Sequence, residues 1–352
     1  MKKTSVSTVI VPFVDSNLLA RAGEAANHAA SRNIFRDYQA RKAKNTIRRQ
    51  VADLALFATY LHGAGLPLGD FSKDPKAWRG VTWGLVEGFA RWQLQSGYAV
   101  SSVNVRMATV KSYAKLALKA GSLDAIEFAM IKAVQGYSFK EGKRIDEQRI
   151  DADIAIRKGA KKSSAVTIEP AQAAQLMKQA DTPQGRRDNL LMYLLLDHGL
   201  RVGEAVILEV KNFDLKNGEL TFYRPKVDKF QIHKLSTRTL KAVKAYLTND
   251  APKRGVIWRS SASKKDGRKK IGTLTTQGAS ERGLTKRVRT LGEVIGIKCL
   301  SAHDCRHYWA TQAARNGTPV DRLQDAGGWN SPAMPLRYVE KAKIANQGVK
   351  LK

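Results

Sequence analysis

The sequence predicts a mainly α fold with a small β-sheet, in which an all-helical N-terminal domain precedes a mixed α/β domain. Apolar residues recur at helical spacing through most of the chain. Two short segments at 219–224 and 230–235, on either side of one turn, are typical of a β-hairpin. A charged stretch without an apolar period separates the two halves, and 352 residues suffice for about two domains.

The N-terminal half is predicted to be a helical domain over 41–140, preceded by an arm of undefined structure at 1–40. Ser101 or Ser102 is expected to cap its third helix, since serine is a preferred N-cap residue. The predicted helices are 45–62, 81–94, 101–121 and 123–136, with a loop at 70–79.

The second domain is predicted over 166–340, after a charged, flexible linker at 141–165 and before a C-terminal tail at 341–352. An apolar stretch at 188–198 favours a buried helix, which Gly199 ends. A basic loop is expected at 260–270. The remaining predicted elements are helices at 170–180, 204–210, 236–247 and 280–295, and strands at 219–224, 230–235 and 255–258.

The composition indicates a polyanionic partner. The 61 Lys and Arg residues outnumber the 31 Asp and Glu residues, so the net charge is +30 and the pI is about 10.2. Nucleic acid is the leading candidate, and a generally basic surface or ribosome association is the alternative. Cys299 and Cys305 are the only cysteines, which predicts no disulfide framework and a reducing cytosol. No stretch has the length of a membrane span, so no membrane partner is expected.

Two groups of cations at helical spacing are candidates for contact with a DNA backbone. Such stripes are often only the solvated face of a helix, and that reading stays open for both groups. The candidates are Lys111, Lys115 and Lys119 in the first domain and Arg282, Lys286 and Arg287 in the second.

The stretch 299–315 predicts a helix whose first turn can bind a phosphate. Ser301 is a good N-cap and Asp304 lies three residues further on, as in a capping box. His303 and Arg306 are three residues apart and share one face beside the free N–H groups of the helix N-terminus. A zinc site at His303 and His307 is the weaker reading, because the H-E-x-x-H glutamate is missing and Arg306 would lie beside the cation.

A candidate nucleophile follows further along the chain. Gly327 and Gly328 break a short helix and present Trp329 at the turn. Tyr338 comes nine residues later, in a segment that begins with Pro332 and contains Pro335. A phenol beside a phosphate-binding site can attack phosphorus and form a covalent ester.

Taken in order, H-x-x-R at 303–306, Gly-Trp at 328–329 and Tyr338 form a pattern that resembles the tyrosine recombinase (phage integrase) family. That family also has an arginine in a G-L-R-x-x-E context, which stands here at 199–204 and contains Arg201 and Glu204. It needs a lysine on a following β-hairpin, where Lys226 lies. The resemblance covers about 165–340. Trp329 replaces the histidine of most members, and the glycines at 203 and 327 are milder departures.

The resemblance implies the fold of a core-binding domain plus a catalytic domain, and DNA cleavage through a 3′-phosphotyrosyl ester without metal or nucleotide cofactor. Glu204 is expected to orient a neighbouring cation or the histidine. Among the implied catalytic residues, Arg201 and Arg306 would hold the phosphate, and His303 would make a third contact or accept the tyrosine proton. Trp329 would donate its indole N–H, and Tyr338 would be the nucleophile. Lys226 would be the acid that protonates the 5′-oxygen, with Lys229 as its rival.

The same resemblance implies the partners. They are double-stranded DNA with specific recombination sites, a homotetramer that joins two sites, and accessory DNA-bending proteins, in the cytoplasm with association to the nucleoid. The outcome would be integration or excision of a mobile element, or resolution of DNA. The tail at 341–352 would dock on a neighbouring protomer.

Each candidate has a structural alternative. Tyr338 and Trp329 can be core residues, His303 a surface histidine, and Arg201 the partner of Glu204 in a structural ion pair. Two functional alternatives also stand: a type IB topoisomerase-like relaxase with little sequence preference, and a DNA-binding protein that retains the fold without the chemistry.

Overall fold

The computed structural model describes residues 16–66, 69–159, 162, 164–262 and 272–342. The chain divides into two compact units, 1–163 and 164–352, and their boundary falls within the stretch predicted to be a linker.

The first unit is all-helical. Helices α3 and α4 pack on α5, and the buried aromatic residues Phe57, Trp78, Phe89 and Tyr113 lie in its core. Its elements are α1 (Ser16–Ser31), α2 (Ile34–Ala40), α3 (Lys44–Gly63), a 3-10 turn (Pro75–Trp78), α4 (Trp83–Gln95), α5 (Val100–Lys119), α6 (Ala125–Ala133) and α7 (Phe139–Asp151).

Three expectations for this unit need correction. Residues 16–40, predicted to be an undefined arm, are helical in α1 and α2, and residues 1–15 lie outside the described residues. Helix α7 occupies much of the predicted linker, because Ser138 and Glu141 form a capping box that begins a helix without an apolar period. The N-cap of α5 is Ala99 rather than a serine.

The second unit surrounds the buried helix α9, which packs against α8, α11 and α13. None of the described helices of either unit has the length and apolarity that crossing a bilayer requires. The helices are α8 (Pro170–Met177), α9 (Pro183–Leu196), α10 (Val202–Ala205), a 3-10 turn (Val210–Asn212), α11 (Thr237–Asn249), α12 (Glu281–Val294), α13 (Ala302–Arg315), α14 (Val320–Gly327) and α15 (Ala333–Ala342).

Two antiparallel sheets complete the unit. Strands β1 (Phe213–Asp214), β2 (Glu219–Arg224) and β3 (Lys229–Lys234) form one sheet in that order, and β4 (Arg259–Ser261) pairs with β5 (Leu274–Gly278). The β2–β3 hairpin agrees with the two strands expected from the sequence, and its observed register pairs Tyr223 with Phe230. Along β2 alternate side chains are buried, and the last of them belongs to Arg224.

Two predictions for this unit are wrong in extent. The predicted helix at 204–210 ends at Ala205, because the backbone after it pairs instead with the segment before β4: Ile257 N–H donates to Leu208 O at 3.0 Å. That pairing also limits the strand predicted at 255–258 to a single bridge at Val256. The basic loop predicted at 260–270 lies from 263 onward outside the described residues, as does the C-terminal tail from 343.

Candidate active site

Arg201 follows the buried helix α9 through a tight turn at Gly199, whose φ of 61° is in the left-handed region. A side chain at this glycine would overlap the indole of Trp309. The Arg201 backbone N–H donates to Glu204 Oε2 at 2.9 Å, and Arg201 Nη1 donates to Glu204 Oε1 at 2.6 Å. The turn and Glu204 together therefore determine where the guanidinium of Arg201 lies.

Arg224 is a site residue that sequence reasoning missed. Its side chain is fully buried and donates through Nη1 to Glu204 Oε2 at 2.8 Å and through Nη2 to the carbonyl of Ala326 at 2.7 Å. The period-two alternation of β2 could have revealed it, since Arg224 shares a face with the buried Leu220 and Phe222. Arg224 thus connects the hairpin, Glu204 and the end of α14.

The predicted capping box at the start of α13 is present: Ser301 N–H donates to Asp304 Oδ2 at 2.8 Å. Arg306, 2% exposed, donates through Nη1 to Gly199 O at 2.5 Å and through Nη2 to Gly327 O. Burial lowers the pKa of Arg306 to about 9, and the positive charges of Arg201 and Arg224 act in the same direction. At neutral pH the group is still a cation.

A row of aromatic rings begins at this guanidinium. Its Cζ lies 4.6 Å from the ring centroid of Trp329, and the Trp329 ring lies 5.8 Å from that of Tyr338. The His307 ring lies 5.4 Å from the Tyr338 ring and 4.5 Å from the ring of His303, which is exposed.

Tyr338 lies on α15 and is 5% exposed. Burial raises the pKa of its phenol, whereas the positive charges of Arg306, Arg201 and Arg337 act to lower it. The phenol is therefore protonated at neutral pH and lies within the electrostatic influence of both guanidinium groups that the sequence singled out.

Lys226 differs from Arg306 and Tyr338 in its exposure. It is exposed in the turn between β2 and β3, and it takes part in no ion pair among the residues that the structure describes. Its rival Lys229 pairs with Asp325, with Nζ 3.3 Å from Oδ1.

The candidate DNA-contact residues differ in whether their charged groups are exposed or bonded to other parts of the protein. Lys115, Lys119, Arg282 and Lys286 are exposed. Lys111 instead donates to the carbonyls of Lys132 and Val134 at the end of α6, and burial lowers its pKa.

Arg287 likewise points inward, because its Nε donates to the buried Asp188 at 2.6 Å. The cationic stripes predicted from the sequence are therefore correct as surface features for four of the six residues, while Lys111 and Arg287 have structural partners.

Comparison with known proteins gives consistent matches. The Phage integrase family model matches residues 167–344. Tyrosine recombinase XerD of Neisseria meningitidis is 30% identical over 172 residues, which are 48% of this chain and 55% of that protein. Tyrosine recombinase XerC of Roseiflexus castenholzii is 25% identical over 292 residues, 82% of this chain and 80% of that protein. The alignments thus span from about half to about four-fifths of these relatives.

Two solved structures have the same fold. The Tn1549 transposon integrase in complex with transposon right end DNA superposes with a TM-score of 0.58 at 15% identity, covering 87% of this chain and 93% of that one. A lambda integrase dimer bound to a COC′ core site also gives 0.58 at 12% identity, covering 97% and 84%. At these identities the similarity establishes the fold alone.

Proposed function

The chain belongs to the phage integrase family of tyrosine recombinases, and on that premise we propose that it breaks and rejoins DNA strands at specific sites through a 3′-phosphotyrosyl intermediate. One observation above all supports this activity. The indole of Trp329 lies between the cation and the phenol: its ring centroid is 4.6 Å from Cζ of Arg306 and 5.8 Å from the ring of the buried Tyr338. Burial raises the pKa of this phenol, and the positive charges of Arg306 and Arg201 act to lower it.

Phosphate binding would use groups that are already oriented in the free protein. Arg306 and Arg201 supply planar cationic forks for the nonbridging oxygens, and each fork is anchored by hydrogen bonds to the protein. His303 adds a third contact from the first turn of α13, and Trp329 contributes its indole N–H. Such fixed donors stabilise the negative charge on the nonbridging oxygens during attack.

The chemical step is an exchange of esters. The oxygen of Tyr338 forms a bond to phosphorus as the bond from phosphorus to the 5′-oxygen breaks, and the phenolic proton passes to His303. Lys226 gives a proton to the departing 5′-oxygen. We favour it over Lys229, because the ammonium of Lys229 is paired with Asp325 whereas Lys226 forms no ion pair among the described residues; both side chains are exposed. A 5′-hydroxyl attacking the phosphotyrosine reverses the step and joins the strands.

Double-stranded DNA is the proposed substrate, with Lys115, Lys119, Arg282 and Lys286 as contacts to its backbone. We further propose a tetramer that joins two sites, a cytoplasmic location, accessory DNA-bending proteins, and integration or excision of a mobile element as the outcome. The relative named Integrase from Salmonella phage P22, 25% identical over 226 residues, supports that outcome.

A covalent trapping experiment tests the activity. The probe is a pool of nicked duplexes with a randomised sequence around the nick, incubated with the protein and then denatured. We expect a covalent adduct that Tyr338→Phe abolishes and that the control Tyr308→Phe, on the neighbouring α13, retains. Sequencing the trapped DNA should reveal a consensus.

The alternatives give different results. Adducts without sequence preference would indicate a relaxase, and the absence of any adduct would indicate a protein that only binds DNA.

A further inference from the structure

We propose that Trp309 is a positioning residue for Arg306, acting together with Gly199, Gly327 and Trp329. We call these four residues the Arg306 cradle. The proposal rests on the proposed function, because it concerns how the phosphate-binding guanidinium is held in place before DNA binds.

Two backbone carbonyls orient the guanidinium. Nη1 of Arg306 donates to Gly199 O at 2.5 Å, at the turn after α9, and Nη2 donates to Gly327 O at the end of α14. Carbonyls orient a cation without neutralising it. Arg201 is held differently, by the carboxylate of Glu204. Within the described part of the chain Arg306 forms no ion pair with a carboxylate, so its charge stays available to a phosphate.

Each of these two glycines is covered by an indole. A Cβ built on Gly199 would overlap the six-membered ring of Trp309, and one built on Gly327 would overlap the ring of Trp329. Gly199 therefore both supplies a carbonyl to Arg306 and, because it has no side chain, leaves space for the ring of Trp309. Gly327 does the same for the ring of Trp329. A tryptophan at 329 and a side chain at 327 exclude one another in this geometry.

The two indoles also contact the guanidinium itself. Cζ of Arg306 lies 4.6 Å from the Trp329 ring centroid and 5.7 Å from that of Trp309, and the two rings are 6.1 Å apart with planes inclined by 30°. These distances are within the range of cation–π attraction. Trp309 thus holds the turn at Gly199 and one side of the cation. Removing it would leave a cavity beside the carbonyl that Nη1 needs.

The first test is a comparison of binding with cleavage. Trp309→Ala should lower the single-turnover rate of adduct formation at least tenfold at saturating DNA, with little change in duplex affinity, and Trp309→Phe should keep most of the rate. Leu291→Ala, a core truncation on α12, controls for general destabilisation. A rate for Trp309→Ala no lower than that of Leu291→Ala would overturn the proposal.

A second test uses the exclusion between Gly327 and Trp329. Gly327→Ala should slow adduct formation, and adding Trp329→His to the same chain should restore part of the rate because the smaller ring avoids the new Cβ. Gly63→Ala, at the last residue of α3 with open space around it, is the matched control. A double variant no faster than Gly327→Ala would contradict the exclusion.

The guanidinium can also be observed without cleavage. In ¹⁵N NMR of the full-length protein, with Arg306→Lys to assign the signals, the two Nη groups of Arg306 should be distinct in the unsubstituted protein and averaged in Trp309→Ala. Distinct signals in both would overturn the proposal. Absence of any adduct with the unsubstituted protein would refute the proposed function, and the NMR result would still decide the cradle.

Discussion

Arg224 and Glu204 form an ion pair in the interior of the second unit, with 2.8 Å between Nη1 and Oε2 and side chains that are 0% and 2% exposed. The other oxygen of the same carboxylate accepts from Arg201 at 2.6 Å. One negative charge therefore serves two guanidinium groups, one wholly internal and one at the candidate active site. Burying a charge is costly unless it is paired and hydrogen-bonded, and Glu204 satisfies this through both arginines.

Arg224→Met should destabilise the protein by about 1–3 kcal/mol, because the buried Glu204 and the carbonyl of Ala326 each lose a hydrogen-bond donor while Arg201 still pairs with Glu204. Urea unfolding measures this free energy. Arg91→Met is the control: Arg91 pairs with Glu87 at 3.5 Å and the two side chains are 73% and 32% exposed, so its loss should cost less than about 1 kcal/mol. Equal free energies of unfolding for the two variants would mean that the buried Arg224 pair contributes no more to stability than an exposed pair.

Lys226→Ala should slow adduct formation by about 10²–10⁴-fold, the usual contribution of a general acid. A substrate with sulfur in place of the bridging 5′-oxygen should restore the rate, since a thiolate leaves without a proton. Lys229→Ala is the control and should cleave the ordinary substrate at nearly the normal rate. Failure of the sulfur substrate to rescue Lys226→Ala would assign the lysine another role.

The rate of attack should rise with pH. Burial raises the pKa of the Tyr338 phenol, so between pH 6 and 9 the phenol is mainly protonated, and each increase in pH eases loss of its proton. Single-turnover cleavage of the sulfur substrate by Lys226→Ala isolates this step, because the lysine no longer titrates. A rate that is constant or falls over this range would contradict the assignment.

Stability should fall in mild acid because of the buried His198 and the half-buried His233. The pKa of His198 is lowered to about 4 and that of His233 to about 3, and burial is the largest cause of both shifts. Below about pH 6.5 the unfolded chain binds protons that the folded chain excludes, so the free energy of unfolding decreases from there towards pH 3.

His198→Gln keeps a polar group near the hydroxyl of Thr239, 3.2 Å from His198 Nε2, and should make this decrease less steep. Urea titrations at several pH values would measure it, with the exposed His62→Gln as control. If the free energy of unfolding of His198→Gln decreased with falling pH as steeply as that of the unsubstituted protein, His198 would not contribute to the pH dependence of stability.

Neighbouring cations of α12 should affect different properties. In a plot of the logarithm of the DNA-binding constant against the logarithm of salt concentration, Lys286→Ala should reduce the magnitude of the slope by roughly 0.9, the contribution of one neutralised phosphate. Arg287→Ala should mainly reduce stability, because Asp188 loses a partner at 2.6 Å. Equal salt slopes for Lys286→Ala and the unsubstituted protein would remove Lys286 from the DNA contacts.

Local patterns predicted much of this molecule. The hairpin, the cap at Ser301 and the helix carrying His303 and Arg306 depend on neighbouring residues, and their positions agree with the sequence analysis. Helix α7 also begins at a local capping box, but its segment lacks a sustained apolar period, so the apolar pattern indicates at most a partly helical linker there.

Arg224 and Trp309 were missed for another reason. The alternation along β2 indicates that Arg224 is buried, but its contact with Glu204 and that of Trp309 with Gly199 join residues far apart in the chain, which one sequence without the fold does not bring together.

The position of Lys226 has a consequence for timing. Arg201 and Arg306 are held by hydrogen bonds and the indole of Trp329 packs on Arg306, whereas the amine of Lys226 is on an exposed side chain in the turn between β2 and β3. A long aliphatic side chain loses rotational freedom when it is fixed, so ordering Lys226 costs free energy that only correctly seated duplex can offset. If the protein has the proposed function, we therefore expect it to bind a noncognate duplex with its scissile bonds intact, and to discriminate between sequences more in the rate of cutting than in the strength of binding.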